Sequence, residues 1–235
     1  MDMIGTHNKR KRKLIFLLSL VSIALLGYSV EYFSRSEGDE GSAAIDTLYT
    51  IESLLAQRDE NEDLELYLYR HSATKGIIID FYSKVTGDMA VTLPILTHAE
   101  KNNITPSLAF SLAWAESRYK IRAVNRNAGS IDRGLFQLNS RTFPVLEEGD
   151  FYNPEINARH GLKHLRFCLN EGKSEIVALA MYNAGTYGVT RGTPYSTLRY
   201  VAQVIEYKEN LEEKFQREVL KADRVVTLSG VAGDI

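Results

Sequence analysis

The sequence predicts a mainly α-helical protein with one small β-element near residues 128–140. Three observations point there. Apolar residues recur at helical spacing, as Leu108, Leu112 and Ala115 do. Sustained alternation of apolar and polar residues, which marks half-buried strands, is not a feature of the chain. Helix-start and helix-stop residues punctuate the apolar runs: Thr105-Pro106, Asn153-Pro154-Glu155, Gly185 and Pro194. There is no internal repeat.

Composition narrows the function classes. With 235 residues, 44% hydrophobic and 25% charged, the chain is globular and holds one domain of ordinary size plus additional segments. A net charge of −2 gives no basic field, so nucleic acid is excluded as a partner. The single cysteine, Cys168, excludes an internal disulfide and any multi-cysteine metal site. His160 and His164 share a helix face but lack a third ligand, so a structural or surface role is expected for them. No metal and no cofactor is expected.

Taken in chain order, the first segment is an export signal. Residues 9–13 read KRKRK, and residues 14–30 carry no charge. Glu31, Glu37, Asp39 and Glu40 follow, against a lone Arg35. That asymmetry predicts an inside N-terminus with the remainder outside. The apolar stretch is short for a bilayer span and long for a signal-peptide core. An uncleaved membrane anchor is preferred to cleavage near Ser29. The expected location is the extracytoplasmic side of the cell envelope, at the inner membrane if anchored and exported if cleaved.

The expected division is an anchor or signal peptide at 1–30, a polar linker at 31–43, an accessory helical region at 44–90, a main helical domain at 91–215 and a tail at 216–235. Within 44–90, the density of Leu64, Leu66, Tyr67 and Leu68 exceeds an amphipathic stripe, so part of this region is buried. A further helical run covers 89–102, broken early by Pro94. The next helix starts with Thr105 as N-cap and Pro106 in its first turn. Residues 118–143 read as loop. The loop 144–156 carries Glu147, Glu148, Asp150 and Glu155 as solvated carboxylates. A helix at 157–169 lines Leu162, Leu165 and Leu169 along one side. Residues 174–184 form a nearly all-apolar helix stopping at Gly185, and a long helix runs over 194–220.

Glu116 stands out from this frame. It falls in the last turn of its helix, just after Phe110, Leu112, Ala113, Trp114 and Ala115. Apolar neighbours and the negative helix C-terminus both favour the protonated acid. An acid where a helix prefers a cation is the kind of local violation found at functional sites. A glutamate protonated near neutrality can act as a general acid. The competing expectation is a surface ion pair with Arg118 or Arg122.

Four motifs add context: WAESRY at 114–119, GLFQLN at 134–139, MYNAG at 181–185 and LRYVAQV at 198–204. In this order they resemble lytic transglycosylases of the soluble type, over about residues 91–210. The resemblance implies a lysozyme-like helical domain that cleaves the MurNAc–GlcNAc bond, with peptidoglycan glycan strands as partner. It implies Glu116 as the single catalytic acid, supported by Ser117. It also implies Gln137 lining the saccharide groove, Tyr182, Asn183 and Gly185 shaping its floor, and Tyr200 hydrogen-bonding near Glu116. In that family's mechanism the glutamate protonates the leaving oxygen and the N-acetyl carbonyl supports the cation. The glutamate then takes the C6 hydroxyl proton, leaving a 1,6-anhydro end.

The residue chemistry suits such a ligand. Amides donate and accept at once, matching hydroxyl and acetamido groups. Tyrosines offer a flat apolar face with a polar tip. The plainer alternatives remain beside it: Gln137 as an amide tying down a turn, and Gly185 as the residue past a helix end.

Asp132 departs from the family, whose ordinary members have a small residue there. GSIDRGLFQLNSR instead resembles animal c-type lysozyme, where the aspartate is a second catalytic carboxylate. Glu116 and Asp132 lie sixteen positions apart. Asp132 either faces Glu116 across the sugar or is a turn residue tied to backbone amides. Asn125, where many transglycosylases have serine, is a second departure and is suited to orient an acetamido group. The preferred reading is a lytic transglycosylase. The alternatives are a hydrolytic muramidase using Glu116 and Asp132, and a non-catalytic peptidoglycan-binding or scaffold module.

Overall fold

The computed structural model describes residues 51–220. The expected membrane segment at 14–30, the linker at 31–43, residues 44–50 and the chain from 221 onward lie outside the described residues. Among the described residues no helix is long and apolar enough to cross a membrane.

The described chain is mainly helical, as the sequence predicts. Residues 51–55 are helical. Then follow α1 (Leu64–Arg70), α2 (Ser72–Thr86), α3 (Met89–Lys101) and α4 (Pro106–Ser117). Three short strands come next, β1 (Val124–Asn127), β2 (Ser130–Arg133) and β3 (Leu138–Asn139). After a 3-10 turn at Asp150–Tyr152 the chain forms α5 (Pro154–Gly172), α6 (Glu175–Thr190) and α7 (Tyr195–Phe215).

Side-chain caps set several starts. Asn153 accepts from the backbone of Glu155 and Ile156, with Pro154 in the first turn of α5. Asp63, Asp88 and Ser174 do the same for α1, α3 and α6.

Several expectations are corrected. Pro94 does not break its helix: α3 is one unit from Met89 to Lys101. Val91, Ile95, Leu96 and Ala99 on it are all essentially fully buried. Burying each larger side chain contributes about 1.5–3 kcal/mol, together more than the roughly 3 kcal/mol of an interior proline. The loop expected over 118–143 contains an antiparallel sheet in the order β1-β2-β3, beginning before residue 128. Its strands are short and mostly polar, so no apolar alternation announces them. Glu155 is not merely solvated, because its Oε1 lies 2.7 Å from Nε2 of the buried His98. Residues 216–220 are a π-helical turn that extends α7 and buries Val219, as the helix expected over 194–220 has it and not as a tail from 216.

One hydrophobic core runs from Ile51 to Val219. α3 crosses the expected junction at 90 and 91 without interruption. Tyr82 of α2 stacks on Phe110 of α4, with ring centroids 4.1 Å apart. Leu66, Tyr67, Leu68 and Tyr69 are all buried, which accounts for their density in the sequence.

Buried among them is Glu65, only 5% exposed. Its Oε2 accepts from the Tyr82 hydroxyl and from the Ser107 backbone N–H, each at 2.7 Å. Burial pushes its carboxyl up to about 7, and the negative charges of Asp63 and Glu212 add to that. The two hydrogen bonds act the other way. Thr105 occupies the N-cap of α4 but makes no side-chain cap bond. Its hydroxyl donates instead to the Asp63 carboxylate.

Candidate active site

α4 is buried on nearly every side from Leu108 to Ala113. It ends because Arg118 and Tyr119 both adopt left-handed backbone, with φ of 53° and 61°. Glu116 sits in that last turn, half-buried. The Tyr200 hydroxyl of α7 donates to its Oε1 at 2.5 Å. Burial pushes the Glu116 carboxyl up to about 7; the Tyr200 bond lowers it, and the Asp132 charge raises it.

The surface ion-pair expectation fails. Arg118 lies over the Trp114 ring, 3.2 Å from its centroid, and Arg122 lies 5.5 Å from the Tyr152 ring. Trp114 in turn stacks on Tyr207 at 4.0 Å, which clamps α4 to α7 beside the acid.

Asp132 lies in the middle strand, paired with Asn125 on one side and Asn139 on the other. Strand alternation puts Asn125, Asn127, Ser130, Asp132 and Asn139 on one face. Three amides converge on the carboxylate. Asn139 donates to Oδ1 at 2.6 Å, Asn127 to Oδ2 at 2.6 Å and Asn125 to Oδ2 at 3.4 Å. Asp132 is therefore not a turn residue held by backbone amides. Its bonds come from side chains that the strand register aligns. Its charge also acts on Tyr182, whose hydroxyl burial and the Glu116 charge hold well above the usual tyrosine range.

The remaining residues divide. Tyr182 donates to the Phe136 carbonyl at 3.0 Å, joining α6 to the GLFQLN segment. Asn183 is exposed, and its Oδ1 accepts from Thr197 at 2.8 Å. Gly185 stops the first helical segment of α6, as the sequence predicts: its backbone is non-helical, and a second helical segment follows it to Thr190. Its φ of 72° and ψ of 159° lie in a region essentially reserved for glycine, not in the helix-capping region. Gln137 uses its amide nitrogen on the carbonyls of Ala123 and Gly134, at 3.1 and 3.0 Å. That is the turn-tying role. The Ser117 hydroxyl donates to Ala113 inside the helix at 3.0 Å. Asn125 is exposed on β1.

The backbone around this site is pinned. Gly134 has φ of 80°, and a Cβ there would fall 2.1 Å from the Phe151 carbonyl. Buried Asn157 of α5 accepts from Phe136 N and donates to the carbonyls of Arg133 and Phe151. His160 and His164 pack against Phe143, and His164 lies 5.1 Å from the Tyr182 ring. Among the described residues no group of three or more His, Cys, Asp and Glu side chains is placed to hold a metal ion.

Three site residues carry no assignment from the sequence: Asn127, Asn139 and Thr197. A hairpin drawn with Asn125 opposite Asp132 places Asn127 on the Asp132 face, whereas Asn139 joins that face only through the pairing of β3 with β2. Thr197 precedes Tyr200 by three, one turn along the same helix.

The arrangement puts a carboxyl raised to about 7 near a tyrosine hydroxyl and an amide-bound carboxylate. Such a group can give a proton and take one back. Residues 94–197 match the family model of the transglycosylase SLT domain. Over that segment, which is under half of the 235 residues, the chain is similar to the soluble lytic transglycosylase type. The match begins at Pro94 inside α3 and ends at Thr197, so Tyr200 and most of α7 lie beyond it. Among solved structures, the chain is similar to an inactive mutant of lytic transglycosylase Slt from Pseudomonas aeruginosa, at 18% identity and a TM-score of 0.45. That likeness covers 74% of this chain and 30% of that one, so the chain spans under a third of the length of the Slt protein. No curated protein matches it.

Proposed function

We propose that the protein is a peptidoglycan lytic transglycosylase that cleaves the MurNAc–GlcNAc β-1,4 bond and leaves a 1,6-anhydro-MurNAc end. The observation that carries this is Glu116: half-buried at a helix end, its carboxyl raised to about 7 by burial and bonded to Tyr200, within the segment that matches the SLT domain.

In this reading Glu116 first protonates the glycosidic oxygen as the C1–O bond breaks. The sugar's acetamido carbonyl supports the cation at C1. The Glu116 carboxylate then takes the proton of the C6 hydroxyl, and O6 bonds to C1. The Tyr200 hydroxyl holds the carboxylate between the two steps. Tyr182 and the Asn183–Thr197 pair shape the floor beneath the sugar. Gln137 and Ser117 act indirectly, by fixing the turn and the helix end. The uncharged segment at 14–30 supports a location on the outer side of the inner membrane.

A second reading has its own observation. The asparagine cage holds Asp132 as an oriented carboxylate whose charge reaches Glu116. An oriented second carboxylate suits a hydrolase that stabilises the cation and admits water. The two readings part at the reducing end of the product.

Both rest on Glu116, and one experiment tests that. Release of soluble muropeptides from purified peptidoglycan is compared between the wild type and Glu116→Gln. Abolition of release supports both. Undiminished release by the variant overturns both.

A further inference from the structure

The helix that carries Glu116 is capped from outside the segment that matches the SLT family. Its own N-cap, Thr105, makes no side-chain cap bond. The first-turn N–H of Ser107 donates to Glu65 of α1, and the Thr105 hydroxyl donates to Asp63, the N-cap of α1. Two carboxylates from α1 thus meet the positive end of α4, where a free N–H would otherwise be stranded in the core. Glu65 is held in turn by the Tyr82 hydroxyl of α2.

The same end of α4 is tied to α7. The Ser107 hydroxyl donates to Glu212 at 3.2 Å, and Lys208 bridges Glu212 to Glu175 of α6. At the other end of the pair, Tyr200 of α7 donates to Glu116 of α4. α4 and α7 are therefore clasped twice, at Ser107–Glu212 and at Glu116–Tyr200. Ser107 and Glu116 are nine residues apart, roughly 13 Å along a helix that rises about 1.5 Å per residue. A rigid buried helix transmits an axial slip at one clasp to the other.

We infer that Glu65 is a positioning residue for Glu116, which it aligns with Tyr200 by fixing the N-terminal end of α4. The inference rests on the proposed role of Glu116 and extends it. Residues 64–86 belong to the catalytic unit rather than to a separable accessory module.

The test uses the full chain with Glu65→Ala, Glu65→Gln and Tyr82→Phe. Turnover of peptidoglycan is read as kcat and KM. The Glu116 carboxyl is titrated by NMR, which reports on its alignment whether or not the protein cleaves glycan. Glu65→Ala is expected to lower kcat by about tenfold or more with KM nearly unchanged, since small misplacements of a reacting group are costly. Its Glu116 carboxyl should titrate higher as the Tyr200 bond loosens, with the Asp132 charge and the Tyr182 hydroxyl still facing it. Glu65→Gln keeps an acceptor for Ser107 and should restore both readouts.

Tyr82→Phe leaves the Ser107 bond in place and should lie between the two. It carries the test if Glu65→Ala does not fold. A folded Glu65→Ala with wild-type kcat and an unchanged Glu116 titration overturns the inference. So does a Glu65→Gln variant no better than Glu65→Ala, or, where Glu65→Ala does not fold, a Tyr82→Phe variant identical to wild type. Absence of wild-type turnover overturns the proposed function instead, and the Glu116 titration still decides the alignment.

Discussion

The two ends of α4 each meet a buried glutamate, and the two carboxyls are pushed up to about the same value, near 7. Glu65 meets the N-terminal end, sealed in the core with two donors on one oxygen. Glu116 belongs to the C-terminal end, half-exposed, with one donor and a carboxylate nearby. The helix dipole favours an ionised group at the first end and a protonated one at the second. Burial overrides the dipole for Glu65. The lesson is that a raised carboxyl does not by itself mark catalysis. Exposure separates the two: Glu116 is half-exposed, whereas Glu65 is sealed in the core.

The sharpest separation comes from neutralising each glutamate in place. Glu116→Gln should lower muropeptide release by at least about 1,000-fold while leaving the melting temperature near or above that of the wild type. Assays of release and thermal denaturation on the same preparation check both halves. A loss of activity accompanied by unfolding would erase the distinction between the two ends.

The next effect concerns stability. Glu65 binds its proton more tightly in the folded protein than in the unfolded chain. Its contribution is full below pH 4.5 and is lost as pH rises through about 7. The amount at stake is on the order of 3 kcal/mol. Denaturant melts from pH 4 to pH 8 should show that decline in the wild type and a flatter line in Glu65→Gln. Equal slopes would mean that Glu65 does not titrate in the fold.

Smaller changes test the local partners of Glu116. Tyr200→Phe removes the bond that lowers the Glu116 carboxyl, so the basic limb of the activity profile should move to higher pH. Activity at the optimum should fall by roughly tenfold, as for loss of a hydrogen bond to a charged group. Asp132→Asn should move the same limb the opposite way, to lower pH, because it removes a charge that raises Glu116. In a transglycosylase the optimum rate should stay within about threefold. Limbs that move in the same direction would show that the two partners do not act on Glu116 as the geometry implies.

How much of this the sequence discloses follows from the range of each interaction. The start of α4 at Pro106 and the position of Glu116 in its last turn are local, set by proline and by apolar spacing. The Asn153-Pro154-Glu155 start of α5 is local as well. The role of Glu65 is not, because its partners stand 17 and 42 positions away. The sequence shows the dense Leu/Tyr run around it but not the acid's place in that run. The asparagine cage depends on strand register, and polar strands give no periodic signal for register. Gln137 is recognisable as an amide in a motif, yet its partners, the carbonyls of Ala123 and Gly134, emerge only from the fold. The helix stop at Gly185 is local and legible, whereas the second helical segment that follows it to Thr190 is not.

The most direct test of the central claim is mass spectrometry of muropeptides released from purified peptidoglycan by the protein, with Glu116→Gln as control. Products ending in 1,6-anhydro-MurNAc, absent from the control, are the predicted result. Products with ordinary reducing ends would contradict it and make Asp132 the second carboxylate of a hydrolase.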